Sequence, residues 1–145
     1  MDWLAIFAAV MLSQALAGPA DERWPAVLAG FDEVRSQAFE DGRTDLLGHV
    51  YPAGSTLLRR DENLLASYVR RGIDIERLRM RLIDAEVVST TDRHVVMHVT
   101  DQLVEARIGL PDGTVRDLPR DRPTRRVIEL SLTPQGWRIS AVRPR

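Results

Sequence analysis

Two long runs of alternating side chains, Ile73 to Ser89 and His94 to Leu110, flank the short connection Thr90-Thr91-Asp92-Arg93. Runs of that length and period read most simply as one long antiparallel hairpin. In the first run Leu78, Met80 and Leu82 alternate with Arg77, Arg79 and Arg81, after which Ile83, Ala85 and Val87 take the apolar parity. A one-residue slip of this kind is what a β-bulge at Leu82-Ile83 produces, and bulges bend long strands. In the second run Val95, Met97, Val99 and Leu103 share one parity, and Val104, Ala106 and Ile108 share the other, so a second bend is expected near Leu103. Two bent long strands predict a strongly curved sheet.

The segments on either side fill in the rest of an α+β layout. Trp24, Val27, Leu28, Phe31, Val34, Ala38 and Phe39 recur at helical spacing, Pro25 suits a first turn and Asp41-Gly42 supplies a stop, which predicts a helix from Pro25 to Glu40. Thr44 is expected to cap a shorter helix ended by Pro52, and Asp61 to cap a third with Leu64, Leu65, Tyr68 and Val69 on one face and Gly72 after its end. Leu57 and Leu58 read as a brief strand or loop anchor before it. After the hairpin, Pro111-Asp112-Gly113 reverses the chain, Val115 to Leu118 extends the return, and Pro119 to Pro123 breaks it. Val127 to Leu132 and a final strand from Trp137 complete a meander. The expected fold is three N-terminal helices packed on one face of a strongly curved antiparallel sheet, preceded by an apolar N-terminal segment.

That segment, Trp3 to Ala17, is almost wholly apolar, and Gly18-Pro19 ends it. Its length and the Ala15-Leu16-Ala17 run suit a secretory signal peptide, although Asp2 stands where positive charge is usual. As a helix it would span about 22 Å, short of the hydrocarbon layer. Residues 1–20 are therefore read as a signal peptide or membrane anchor plus linker, residues 21–145 as a single α+β domain, and the protein as exported, extracellular or membrane-anchored.

Composition removes several kinds of chemistry. The sequence has no cysteine, which excludes disulfides and thiolate catalysis, and no lysine, which excludes Schiff-base chemistry and a P-loop lysine. A formal net charge of -1 gives no overall field toward nucleic acid, and no nucleic-acid partner is expected. No nucleophile elbow, glycine-rich phosphate loop or dinucleotide fingerprint occurs, and no cofactor is expected.

The order of elements from Trp24 to Arg143 resembles the nuclear-transport-factor-2-like superfamily, the SnoaL-like cone folds. More narrowly, Tyr51-Pro52-Ala53-Gly54-Ser55, Tyr68-Val69-Arg70-Arg71-Gly72, Val99-Thr100-Asp101-Gln102-Leu103, Leu118-Pro119-Arg120-Asp121-Arg122-Pro123-Thr124 and Gly136-Trp137-Arg138-Ile139 resemble stretches of actinobacterial exported or membrane-anchored members. The resemblance implies a cone with one open end and an apolar cavity between helices and sheet. It implies no particular reaction, because the superfamily holds isomerases, dehydratases, cyclases and members without catalysis.

Asp101 follows Val95, Met97 and Val99 on the face expected to point inward, where an ionised carboxylate is costly unless paired. Catalytic members of the superfamily use a cavity Asp or a His-Asp pair for proton transfer, so Asp101 with His49 or Tyr51 is the candidate catalytic set. The competing reading for Asp101 is a structural ion pair with Arg, and for His49 an interaction with a helix C-terminus. Asp101, Tyr51 and Trp137 are the candidate ligand contacts. His94 and His98, though spaced as H-x-x-x-H, lie about 13 Å apart along a strand and cannot share an ion, so no metal site is read there. The arginines at 77, 79, 81, 116, 120, 122, 125 and 126 are nearly matched in number by nearby acids, and cross-strand pairs on a solvated face are expected.

Three functions remain open, with a homodimer compatible with each. One is a non-enzymatic exported or membrane-tethered module that binds a protein or a small apolar ligand. The second is a small cofactor-free isomerase, dehydratase or cyclase using a cavity Asp, and the third an accessory subunit of an envelope transport assembly.

Overall fold

The slips in side-chain parity are bulges. In the computed structural model, which describes residues 22–145, strand β1 (Asp74–Thr90) pairs antiparallel with β2 (His94–Gly109) through a register that shifts four times. Leu82 pairs with Asp101 and Asp84 with Thr100, leaving Ile83 as the extra residue, and Arg79 pairs with Glu105 and Met80 with Leu103, leaving Val104 as its counterpart on β2. Each bulge keeps apolar side chains on the inner face of a bending strand. Ile83 departs from its expected inward place: as the unpaired residue it is 45% exposed.

A short strand β3 (Val115–Asp117) pairs with the end of β2, β4 (Thr124–Thr133) with its first half, and β5 (Gly136–Pro144) with β4. The sheet order is β1-β2-β4-β5, all antiparallel, with β3 beside β2. Residues 118–123 form no strand, as Pro119 and Pro123 require.

Three helical elements cover one face. α1 (Arg23–Asp41) and α2 (Thr56–Arg70) are α-helices, and a 3₁₀ helix (Thr44–His49) lies between them. Both α-helices end in the same motif. Gly42 and Gly72 take left-handed φ of 65° and 67°, and the next amide reaches back, Arg43 to the Ala38 carbonyl at 2.8 Å and Ile73 to the Tyr68 carbonyl at 2.9 Å. At Gly72 a Cβ would also meet Pro111 at 3.2 Å. The start of α2 corrects the sequence reading. Ser55, not Asp61, is the cap, its hydroxyl accepting from the Leu58 amide at 3.2 Å, so Leu57 and Leu58 are helical and Asp61 lies one turn inside. Nor does Thr44 cap the middle helix, whose N-cap is Arg43 without a side-chain bond.

The helices and sheet close on one apolar core. Trp24, Leu28, Leu47, Val50 and Leu65 meet Val95, Met97, Val99 and Leu130, all at 0–2% exposure. Trp137 packs edge-to-face on Trp24 with ring centroids 4.7 Å apart. β1 is an edge strand, and Glu40 of α1 covers part of that edge by accepting the Leu78 amide at 2.8 Å. Among the described residues no helix is long and apolar enough to cross a membrane; the reading of residues 1–20 lies outside them.

These contacts set two expectations for urea denaturation. Leu130→Ala should lower stability by about 2–5 kcal/mol, because it opens a cavity in a closed core. Ser55→Ala should cost about 1 kcal/mol through the lost cap, whereas Thr44→Ala should stay within about 0.5 kcal/mol. Equal losses at residues 55 and 44 would contradict this placement of the helix starts.

Candidate functional site

The core-facing row of α1 runs Trp24, Leu28, Phe31, Arg35, Ala38, at the spacing of a buried stripe, so a guanidinium stands where an apolar side chain is expected. On α2 the row Leu57, Asp61, Leu65, Tyr68 likewise carries one acid. The two charged intruders meet. Arg35 donates from Nε to Asp61 Oδ2 at 2.6 Å and from Nη2 to Oδ1 at 3.1 Å, a two-pronged ion pair. Tyr51 donates its hydroxyl to Asp61 Oδ2 at 2.8 Å, and Arg35 also lies over the Phe39 ring at 4.8 Å. Asp61 is 5% exposed and Tyr51 6%.

These partners fix the protonation states. Burial pushes the Tyr51 phenol well above its ordinary value, against the opposing pull of Arg35 and with Asp61 adding to the rise, so it remains a donor. Burial alone would lower Arg35, but its hydrogen bond to Asp61 and that carboxylate's charge outweigh it and hold the guanidinium charged.

The sheet contributes a second pair. Asp101 of β2, 7% exposed, accepts from Nε of Arg126 on β4 at 3.1 Å; Arg126 pairs in register with Val99, so the contact runs diagonally between inward residues. The ion-pair reading of Asp101 therefore holds. Between the two pairs stands Asp32, one turn before Arg35 on α1 and partly buried, with no hydrogen-bonding partner among the described residues. Its carboxyl is pushed up to about 6, by burial first and then by the Asp101 charge, against Arg35 and Arg126. The row holds three carboxyls and two guanidiniums, so one proton on Asp32 makes it neutral.

The other expected site residues fall elsewhere. Asp101 is paired with Arg126 rather than with His49 or Tyr51. His49 is exposed at the end of the 3₁₀ helix, on the side where Arg138 bonds the Gly48 carbonyl at 2.9 Å. Tyr51 is inward but serves Asp61. Trp137 pairs with Leu132, at the opposite end of β4 from the Thr124–Asp101 pair. Eight residues of strand separate those ends by roughly 26 Å, so Trp137 and Asp101 do not line one pocket. His94 faces outward onto Glu129 at 3.1 Å. Arg35 and Asp32 carry no expectation from the sequence and Asp61 only that of a helix cap; the signal was a charge of each sign on a core row.

The chain matches no protein-family model and no curated protein. Among solved structures it superposes on the intermembrane-space region of the chloroplast protein ARC6 with a TM-score of 0.57 at 18% identity, over 89% of this chain and 100% of that one. A protein of Novosphingobium aromaticivorans provisionally assigned as an aromatic ring hydroxylase gives 0.54 at 12% identity, covering 79% and 84%. A Streptomyces avermitilis protein of the NTF2-like family, provisionally assigned as a dehydratase, gives 0.51 at 17% identity, covering 81% and 93%. The chain has the NTF2-like cone fold. At these identities the likeness is one of fold, and it carries no reaction with it.

The state of Asp32 has a consequence for stability. The native protein keeps this proton up to about pH 6 while the unfolded chain releases it near 3.8, so the native state binds more protons between those values. The stability it contributes is full below the lower value and is lost as pH rises through the upper one. Asp32→Asn should therefore exceed the wild type by about 1–2 kcal/mol near neutral pH, the full linkage being reduced for partial exposure. The gap should close as the pH is lowered to about 4, below the native value. Urea melts across that range check it; a gap that does not vary with pH would show that Asp32 ionises as freely as in the unfolded chain.

Proposed function

We propose that this chain is a non-catalytic binding module, exported or held at a membrane by its N-terminal segment, that takes a protein partner on its surface. The observation that carries this reading is that Asp61 and Asp101, the acids facing inward from helix and sheet, are each held by an arginine, among the buried side chains of Met97, Val99, Leu130, Leu47 and Leu65.

A groove of about 320 Å³ supports the surface reading. It lies where α1 and α2 end and β1 begins, with Phe39, Leu65 and Ile73 in its floor and the 61%-exposed Val69 on its wall. Glu40, Asp41 and Asp74 also line it. Such a groove suits a peptide segment that inserts an apolar side chain next to an Arg or Lys. Selection from a displayed peptide library should enrich apolar residues beside basic ones, and Val69→Asp, at an exposed site, should weaken the selected peptides at least tenfold by fluorescence anisotropy with unchanged stability. Failure to enrich such peptides, or equal binding by the variant, would refute it.

A second reading starts from Asp32, which has no hydrogen-bonding partner among the described residues and whose carboxyl burial and the Asp101 charge push up to about 6. On that reading Asp32 is the base of a cofactor-free isomerase, dehydratase or cyclase. Turnover of a small carbonyl compound that is abolished in Asp32→Asn would favour it over the first.

A further inference from the structure

Between the end of β3 and the start of β4 the chain runs beside β2 without becoming a strand. It is held there by the Leu118 amide on the Ala106 carbonyl at 2.8 Å, the Asp121 amide on the Leu103 carbonyl at 3.2 Å, and the Gln102 side chain on the Asp121 carbonyl at 2.8 Å. Along this pinned margin Arg116, Arg120, Arg122 and Arg125 are all exposed, and the Arg145 amide bonds the Arg125 carbonyl at 3.2 Å, which brings a fifth arginine alongside.

Elsewhere on the sheet most arginines are matched, although Arg81 has no carboxylate partner among the described residues and Arg138 bonds backbone carbonyls. Arg77 and Arg79 face Glu105, Arg107 faces Asp117, and Arg143 faces Glu129. The margin departs from that pattern: among the described residues none of its five arginines has a carboxylate partner. Asp117 is taken by Arg107, and Asp121 turns its carboxylate to the Arg122 amide at 2.7 Å. Two aliphatic side chains stand exposed among the arginines, Val115 at 51% and Leu118 at 44%.

We propose that this margin docks on the surface of a bilayer containing anionic lipid. Five unmatched guanidiniums complement the phosphodiesters of such a surface, and their planar forks suit phosphate oxygens. Register sets Arg116 opposite Ile108 and Arg125 opposite Thr100, on opposite faces of the sheet, so a plane brought up to the edge meets both sets. Interleaved aliphatics distinguish a lipid surface from an acidic protein or nucleic acid, since Val115 and Leu118 can enter the headgroup boundary while the arginine stems lie along it. The apolar run from Trp3 to Ala17 would be a second membrane-seeking signal in the same chain, and two weak signals together hold far better than one.

The test is flotation of the full chain with vesicles of phosphatidylcholine alone and of phosphatidylcholine mixed with phosphatidylglycerol. Residues 3–17 contribute to both, so the ratio of the two isolates the margin. Wild type should prefer the anionic vesicles at least tenfold, at about fivefold for each arginine engaged. The preference should fall with added salt. It should vanish in the variant carrying Arg116→Gln, Arg120→Gln, Arg122→Gln and Arg125→Gln, and weaken in Leu118→Ser. Should the fourfold variant fail to fold, the single change Arg122→Glu must still reduce the ratio. Absence of the preference in wild type, its survival in the variants, or binding to heparin or RNA as tight as to vesicles and indifferent to Leu118→Ser would each overturn the proposal.

Discussion

Arg35 and Asp61 sit on helix rows that otherwise consist of core residues, and each is tolerable only because the other is there. A buried ion left alone costs several kcal/mol, so α1 and α2 must pack in the register that brings the guanidinium to the carboxylate. Tyr51, at the end of the segment joining them, occupies a further lone pair of Asp61 and ties that connection to the same point. The pair therefore selects one arrangement of the helical layer. Below it, the bulges at Ile83 and Val104 shape the sheet to receive that layer, and Arg126 extends the matching of charge onto the strands.

Matching of this kind bears on function. A catalytic carboxylate needs a reacting group within hydrogen-bond reach, and Asp61 and Asp101 spend their contacts on arginines. Of the three inward carboxyls, Asp32 alone has no hydrogen-bonding partner among the described residues, and burial pushes its carboxyl up to about 6. The apolar side chains from Trp24 to Ile139 form the core around these groups.

Much of the architecture was legible in the sequence because burial leaves a periodic trace. The parity slips at Ile83 and Val104 marked the bulges, and Gly42 and Gly72 marked helix ends that only a left-handed residue closes. The start of α2 was missed because Leu57-Leu58 is as compatible with a strand as with a first helical turn, while the Ser55 cap stood unread three residues before Leu58. Asp101 was readable as an inward acid needing an arginine, but which arginine depends on the β2–β4 register, set by a connection whose length the sequence does not translate into pairing. Arg35 went unseen because a single charged residue in a helix reads as solvent-facing, and Asp61 reads as a helix cap once the true start at Ser55 is missed. Only two such intrusions of opposite sign, on rows that face one another, disclose a buried pair.

The dependence of the helical layer on that pair can be measured by a double-mutant cycle on Arg35→Met and Asp61→Leu, followed by urea denaturation. Arg35→Met, which strands the buried Asp61, should cost about 3–5 kcal/mol, Asp61→Leu should cost less because the Arg35 side chain is 30% exposed, and the double variant should cost less than their sum by a coupling of at least about 2 kcal/mol. Additive losses, with the double variant as unstable as the two singles together, would mean that the contact does not organise the fold.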